Sequence, residues 1–134
     1  MLRRWLPLLL WMLLIFVVSG QPKSAIADFG VWDLVVKKGA HVLAYALLAV
    51  LAGRALPRPG YAILWSLAYA VSDELHQRLV PGRVGSPVDV LIDGLGILLG
   101  VGVLWLWRHL RHRSAAGPLS GQKALAAGPP PRDA

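Results

Sequence analysis

The chain has 134 residues, 56% of them hydrophobic and 16% charged, with a mean hydropathy of +0.56. A water-soluble domain of that length carries about 45–50% apolar and about 25% charged residues, so these figures argue against an ordinary soluble globule. Fourteen Lys and Arg against seven Asp and Glu give a net charge of +7, which in so apolar a chain is read first as membrane topology and not as nucleic-acid binding.

Four apolar stretches predict an all-α fold, an integral membrane four-helix bundle, with spans at about 5–20, 39–56, 61–80 and 88–107. Nothing alternates with period two, and lipid leaves no backbone group unpaired, so helices and not strands are indicated. Crossing about 30 Å of hydrocarbon takes about 20 helical residues. The first stretch, preceded by Arg3 and Arg4, is short. With Ala25-Ile26-Ala27 it also resembles a secretory signal peptide. The eight residues between Val18 and Ala27, which include Lys23, favour a retained helix. The second stretch stops at Pro57 and Pro59. The third is apolar only to Ser72, and crosses only if its polar end lies at membrane depth. The fourth runs straight into Arg108, His109, Arg111, His112 and Arg113. Residues 1–113 form the predicted transmembrane domain. The Ala-, Gly-, Pro- and Ser-rich segment 114–134 is expected to be a disordered cytoplasmic tail.

With both termini inside, nine of the basic residues fall on the inner side and five on the outer, as the positive-inside rule requires. Six of the seven acids then face outward, leaving Asp133 inside. The absence of cysteine removes disulfides, thiolate nucleophiles and Cys-ligated metals.

Ionisable residues inside apolar spans are costly, so their placement is informative. Lys38, His41 and Tyr45 stand at i, i+3 and i+7 on the second helix, hence on one face. Tyr69, Ser72, Asp73, His76 and Gln77 share a face of the third, with Glu74 about 100° away. Asp89 and Asp93 are i, i+4 on the fourth, and Gly96 and Gly100 continue their stripe. The loop between the third and fourth helices is turn-rich and carries Arg83. All three faces reach the outer ends of their helices. The glycine stripe reads as close helix packing. Asp28, Asp33 and Lys37 read as loop charges.

Other chemistries find little support. Asp73-Glu74-Leu75-His76 is not the H-E-x-x-H pair of a zinc helix, and no Lys-Ser/Thr follows the glycines of the fourth span. Metal ligation by His41, His76 and a carboxylate is not expected, nor is any cofactor. Ser72 and Ser86 are weak candidates as nucleophiles. No nucleic-acid partner is expected, because the basic cluster at 108–113 abuts the end of a span.

Lys38-x-x-His41-x-x-x-Tyr45, Ser72-Asp73-Glu74-Leu75-His76-Gln77, Pro81-Gly82-Arg83 and Asp89-x-x-x-Asp93-x-x-Gly96-x-x-x-Gly100 together resemble the pattern of VanZ-like membrane proteins over residues 38–100. Lys37 departs from that pattern, in which an acidic residue often precedes the lysine, and Asp93 stands where Asn is common. The resemblance implies a small bacterial four-helix membrane protein. The family's namesake is associated with resistance to glycopeptide antibiotics, especially teicoplanin.

The leading expectation is a multi-pass protein of the bacterial inner (plasma) membrane. Its outward-facing pocket binds or modifies an anionic or lipid-linked component of the cell envelope, and its partners are membrane lipids and a lipid-linked envelope precursor. The expected ligand-binding residues are Lys38, His41, Tyr45, Asp73, Glu74, His76, Gln77, Arg83, Asp89 and Asp93. Lys38 and Arg83 meet the anion, the aspartates balance them, and His41, His76 and Asp73 are the candidates for proton transfer. No nucleophile is evident, so the residues do not decide between binding and turnover. Two other readings compete: a small proton- or ion-coupled permease acting as a homo-oligomer, and a non-catalytic envelope assembly partner.

Overall fold

The structure, a computed structural model, describes residues 2–22, 29–83 and 86–115. They form four helices: α1 (Leu2–Ser19), α2 (Asp33–Ala55), α3 (Pro59–Gln77) and α4 (Pro87–Ala115). A single 3-10 turn, Gly30–Trp32, leads into α2. No strand occurs among the described residues, and the all-α expectation holds. The chain divides into two compact units, residues 1–104 and 105–134.

The helix boundaries follow local chemistry. α2 opens at Asp33, upstream of the apolar run that starts at Gly39. Asp33 complements the dipole of the first turn and pairs with Lys37 one turn on at 2.7 Å, so the helix extends into polar sequence. Hydrophobic patterning marks where a helix can meet lipid, which is not where it must begin. At the other end Leu56 is extended and Pro57 and Pro59 follow, so α2 stops and Pro59 opens α3. α4 starts at Pro87, where the Ser86 hydroxyl accepts from the Val88 N–H at 3.2 Å and Asp89 occupies the first turn. Ser114 and Ala115 prolong α4, whereas residues 116–134 of the expected tail and the Ala25-Ile26-Ala27 segment lie outside the described residues.

Among the described residues, three helical stretches are long and apolar enough to cross a membrane: Leu2–Ser19, Gly30–Ala55 and Pro87–Arg113. α3 has the length but not the apolarity, because its last turns carry Asp73, Glu74, His76 and Gln77.

In the first unit α2 is the central helix. Tyr45, Leu48, Ala49 and Ala52 on α2 are buried with Leu8 and Ile15 of α1, Ala62 and Ala70 of α3 and Ile97 of α4. α1 is tied in by polar bonds as well: the Trp11 indole N–H donates to the Ala44 carbonyl at 2.9 Å, and the Tyr69 hydroxyl to the Met12 carbonyl at 2.5 Å. α4 comes so close to α2 that only glycine fits. A Cβ on Gly96 would stand 3.0 Å from the Val42 Cα and overlap its carbonyl, and one on Gly100 would stand 2.9 Å from the Ala46 Cα. The glycine stripe is therefore a packing device. Large apolar side chains point outward instead, with Leu43 72% and Leu98 60% exposed. Such an exterior suits hydrocarbon, not water.

In the second unit the helix carries aromatic and cationic side chains one turn apart. Trp105 stacks on His109 with centroids 5.3 Å apart, and the Arg111 guanidinium lies 4.0 Å from the Trp107 ring centroid.

Candidate functional site

The polar face of α2 meets its partners as a ladder. Lys38 pairs with Asp89 at the top. One turn along, His41 Nδ1 lies 3.0 Å from an oxygen of Asp93, and a turn further the Tyr45 hydroxyl donates to Asp73 at 3.2 Å. The i, i+3, i+7 spacing on α2 therefore matches i, i+4 on α4, with α3 supplying the last rung.

The two lowest carboxylates are buried, Asp73 at 3% exposure and Asp93 at 1%. Buried charge persists only when hydrogen-bonded, and Asp73 is well supplied. It accepts from the Ser19 hydroxyl of α1, from Tyr45 of α2, and from the Gln77 amide at 3.0 Å, so one carboxylate joins three helices. An ionised Asp93 can only accept. In that state the bond takes its proton from His41 Nδ1 and leaves Nε2 with no partner among the described residues, the relation of a base to its orienting carboxylate.

Arg83 is placed by turn chemistry. Val80 to Arg83 form a tight turn in which the Arg83 N–H donates to the Val80 carbonyl at 3.2 Å. Pro81 takes the second position, and Gly82, with φ +77°, takes the third, which requires a left-handed residue. The turn delivers the Arg83 side chain to the C-terminal end of α1, where it donates to the Ser19 carbonyl at 2.5 Å. That bond satisfies one of the terminal carbonyls which every helix leaves open.

Two clefts meet at this assembly. A polar one of about 310 Å³ is lined by Asp33, Lys37, Lys38, Gln77 and Asp89, and a mostly apolar one of about 210 Å³ lies between α1 and α2. His41 and Arg83 line both. In the polar cleft Lys37 and Lys38 are each paired with a carboxylate. Among the described residues, Arg83 is the lining cation with none in ion-pair range.

Of the expected site residues, Lys38, His41, Gln77, Arg83 and Asp89 line the polar cleft, Tyr45 and Asp73 line the second cleft, and Asp93 lines neither but is bonded to His41. Glu74 and His76 line neither cleft. Glu74 is buried and accepts from the Ser86 N–H, which anchors the loop at the start of α4. His76 stacks on Phe16 of α1 with centroids 4.1 Å apart, beside Gly20. The single face expected for α3 is in fact split. Asp73 and Gln77 turn inward, His76 turns to α1, and Ser72 is exposed and donates to the Tyr69 carbonyl at 2.8 Å. Five residues spaced by three and four cover a wider arc than one helix interface. Asp33 and Lys37, read as loop charges, instead sit on the first turns of α2 and line the cleft. Ser19 was missed, since a serine closing an apolar helix looks like a terminator and its bond to Asp73 is fixed only by packing.

Helices with an apolar exterior, knit by glycine and small residues around the buried carboxylates Asp73, Glu74 and Asp93, define a helical membrane protein. The family profile described as VanZ/LLP1 matches residues 4–108, and the chain belongs to that family. No curated protein and no solved structure gives a match.

Proposed function

We propose that this VanZ-like protein sits in the bacterial inner membrane with both termini inside, and that its polar cleft faces outward to hold the anionic head group of a cell-envelope lipid. The observation that carries the reading is the free cation. Arg83 lines a cleft whose other charges are mutually paired among the described residues, so an incoming anion finds a partner without first breaking an ion pair. Lys38 stands beside it and can be shared between Asp89 and the ligand. The charge distribution supports the orientation, since nine basic residues lie on the proposed inner side and the cluster at 108–113 meets anionic lipid there. α3 then crosses with its polar end inside the protein, where Asp73 and Gln77 are already satisfied by bonds.

If the head group is modified as well as bound, His41 is the proton carrier. Its Nε2 is free and its Nδ1 is oriented by Asp93. Asp73 is occupied by three donors, and His76 is packed against Phe16, so neither is placed to exchange a proton with a ligand in the cleft. Occupancy of an envelope lipid at the outer surface is also the setting in which a link to teicoplanin resistance would arise.

Ethyl phosphate, a head group without a chain, tests the proposal with the purified protein in a neutral detergent. It should raise the melting temperature of the wild type, by an amount that keeps growing with the logarithm of ligand concentration above its Kd. Arg83→Ala should weaken that binding at least ~10-fold, and Lys38→Ala by less, because losing one charge-assisted contact costs about 1.5–3 kcal/mol. Wild-type affinity in both variants contradicts the proposal.

A further inference from the structure

The second cleft has no role in holding a head group, yet it opens onto the same two side chains. Its walls are mostly apolar, with Trp11, Leu14, Ile15 and Val18 of α1 and Ala40 and Ala44 of α2. Ser19 and Tyr45 also line it, together with the Asp73 carboxylate to which both are bonded. Trp11 spends its one donor on the Ala44 carbonyl, so the indole offers the groove no polar group. Asp73 is already satisfied by Ser19 and Tyr45, so the charged groups the groove offers a ligand are His41 and Arg83, which also line the polar cleft.

We propose that this α1–α2 groove seats the hydrocarbon chain of the ligand, and that the ligand is a single-chain lipid phosphate whose phosphate joins the chain directly. The inference rests on the head-group reading and adds the chemistry of the other half of the molecule. The junction residues carry the argument for direct attachment: an anion held by Arg83 is already at the mouth of the groove, so no glycerol or sugar spacer separates charge from chain. The groove lies between a single pair of helices, which suits one chain. Its outer wall is made by residues that a soluble protein would not expose, such as Leu14 and Val18, so a chain can enter it from the bilayer.

The test uses the full chain in dodecyl maltoside and two probes, dodecyl phosphate and ethyl phosphate, with apparent affinities taken from the ligand-dependent rise in melting temperature. Ala40 is exposed, so Ala40→Phe fills the rim of the groove without disturbing the core. Leu14→Gln, at a position 48% exposed, makes the wall polar by an independent change. Both variants should bind dodecyl phosphate at least ~10-fold more weakly than wild type and bind ethyl phosphate within about twofold of it, because each methylene the groove buries adds to affinity. Arg83→Gln should weaken both probes. If Ala40→Phe and Leu14→Gln both keep wild-type affinity for dodecyl phosphate, the groove is not the chain seat, although the head-group reading stands. If Arg83→Gln leaves both probes unchanged, or the wild type binds neither, the head-group reading falls and takes this inference with it.

Discussion

Gly100→Val should be among the most destabilising single substitutions in the protein. A Cβ at residue 100 already overlaps the Ala46 carbonyl, and the obstruction is backbone, which cannot rotate away as a side chain would. α4 must therefore move off α2, which separates the Lys38–Asp89 and His41–Asp93 pairs. Overpacking a tight interface costs about 1–3 kcal/mol and sometimes more, and separation of the ion pairs adds to it. Thermal unfolding in detergent measures the effect. Gly102→Ala is the control, since a Cβ there meets nothing within 4 Å and should leave the melting temperature within a degree or two of wild type. Equal stability of the two variants would mean that α4 does not pack as described.

The second large effect is expected at Asp73. In Asp73→Leu the donors from Ser19, Tyr45 and Gln77 lose their shared acceptor while remaining buried. An unsatisfied buried group costs about 1–3 kcal/mol, and removing one side of a buried charged network costs about 3–5 kcal/mol. The variant should unfold at much lower temperature and release α1, with Trp11 fluorescence shifting as its contact with α2 is lost. Tyr45→Phe alone removes one donor and should cost less. The double variant Tyr45→Phe/Asp73→Leu should be less destabilised than the sum of the two, because both delete the same bond. Strict additivity would show that Asp73 does not act through Tyr45.

The parts of this architecture that could be read in the sequence are those fixed by spacing along one helix. Lys38, His41 and Tyr45 share a face for geometric reasons that hold in any α-helix, as do Asp89, Asp93, Gly96 and Gly100, and the two sets meet. Turn chemistry was legible in the same way, since Pro81-Gly82 can hardly be anything but a turn and so fixes where Arg83 emerges. Contacts between helices distant in sequence were not legible. Nothing in the local sequence tells His76 that Phe16 will be its neighbour, or Ser19 that Asp73 will accept its proton, 54 residues away. Glu74 shows the same limit from the other side. Its charge suggested a ligand contact, but the loop folds back and presents the Ser86 N–H to it. The start of α2 was obscured because burial in lipid and helical conformation are separate properties, and the turns from Asp33 to Lys38 have the second without an apolar sequence.

The arrangement also explains how a chain of 134 residues keeps charge at such depth. Every buried carboxylate is bonded to a side chain or backbone group on another element: Asp73 and Asp93 tie helices together and belong to the site, and Glu74 ties down the loop that leads into α4. Arg83 differs from these. Among the described residues its side chain bonds only the Ser19 carbonyl, which the remaining guanidinium N–H groups do not need, and they stay available to a ligand.

The account therefore turns on Arg83, and the most direct test is to identify the lipids that co-purify with the protein from its native membrane. Wild-type protein should carry a single-chain anionic phosphate lipid enriched over the bulk membrane. Arg83→Ala gives up its bond to the Ser19 carbonyl and should melt slightly lower, yet stay folded in detergent and lose that enrichment at least ~10-fold. An identical lipid profile on the two proteins, or none enriched on either, would contradict the claim that this cleft is a head-group site.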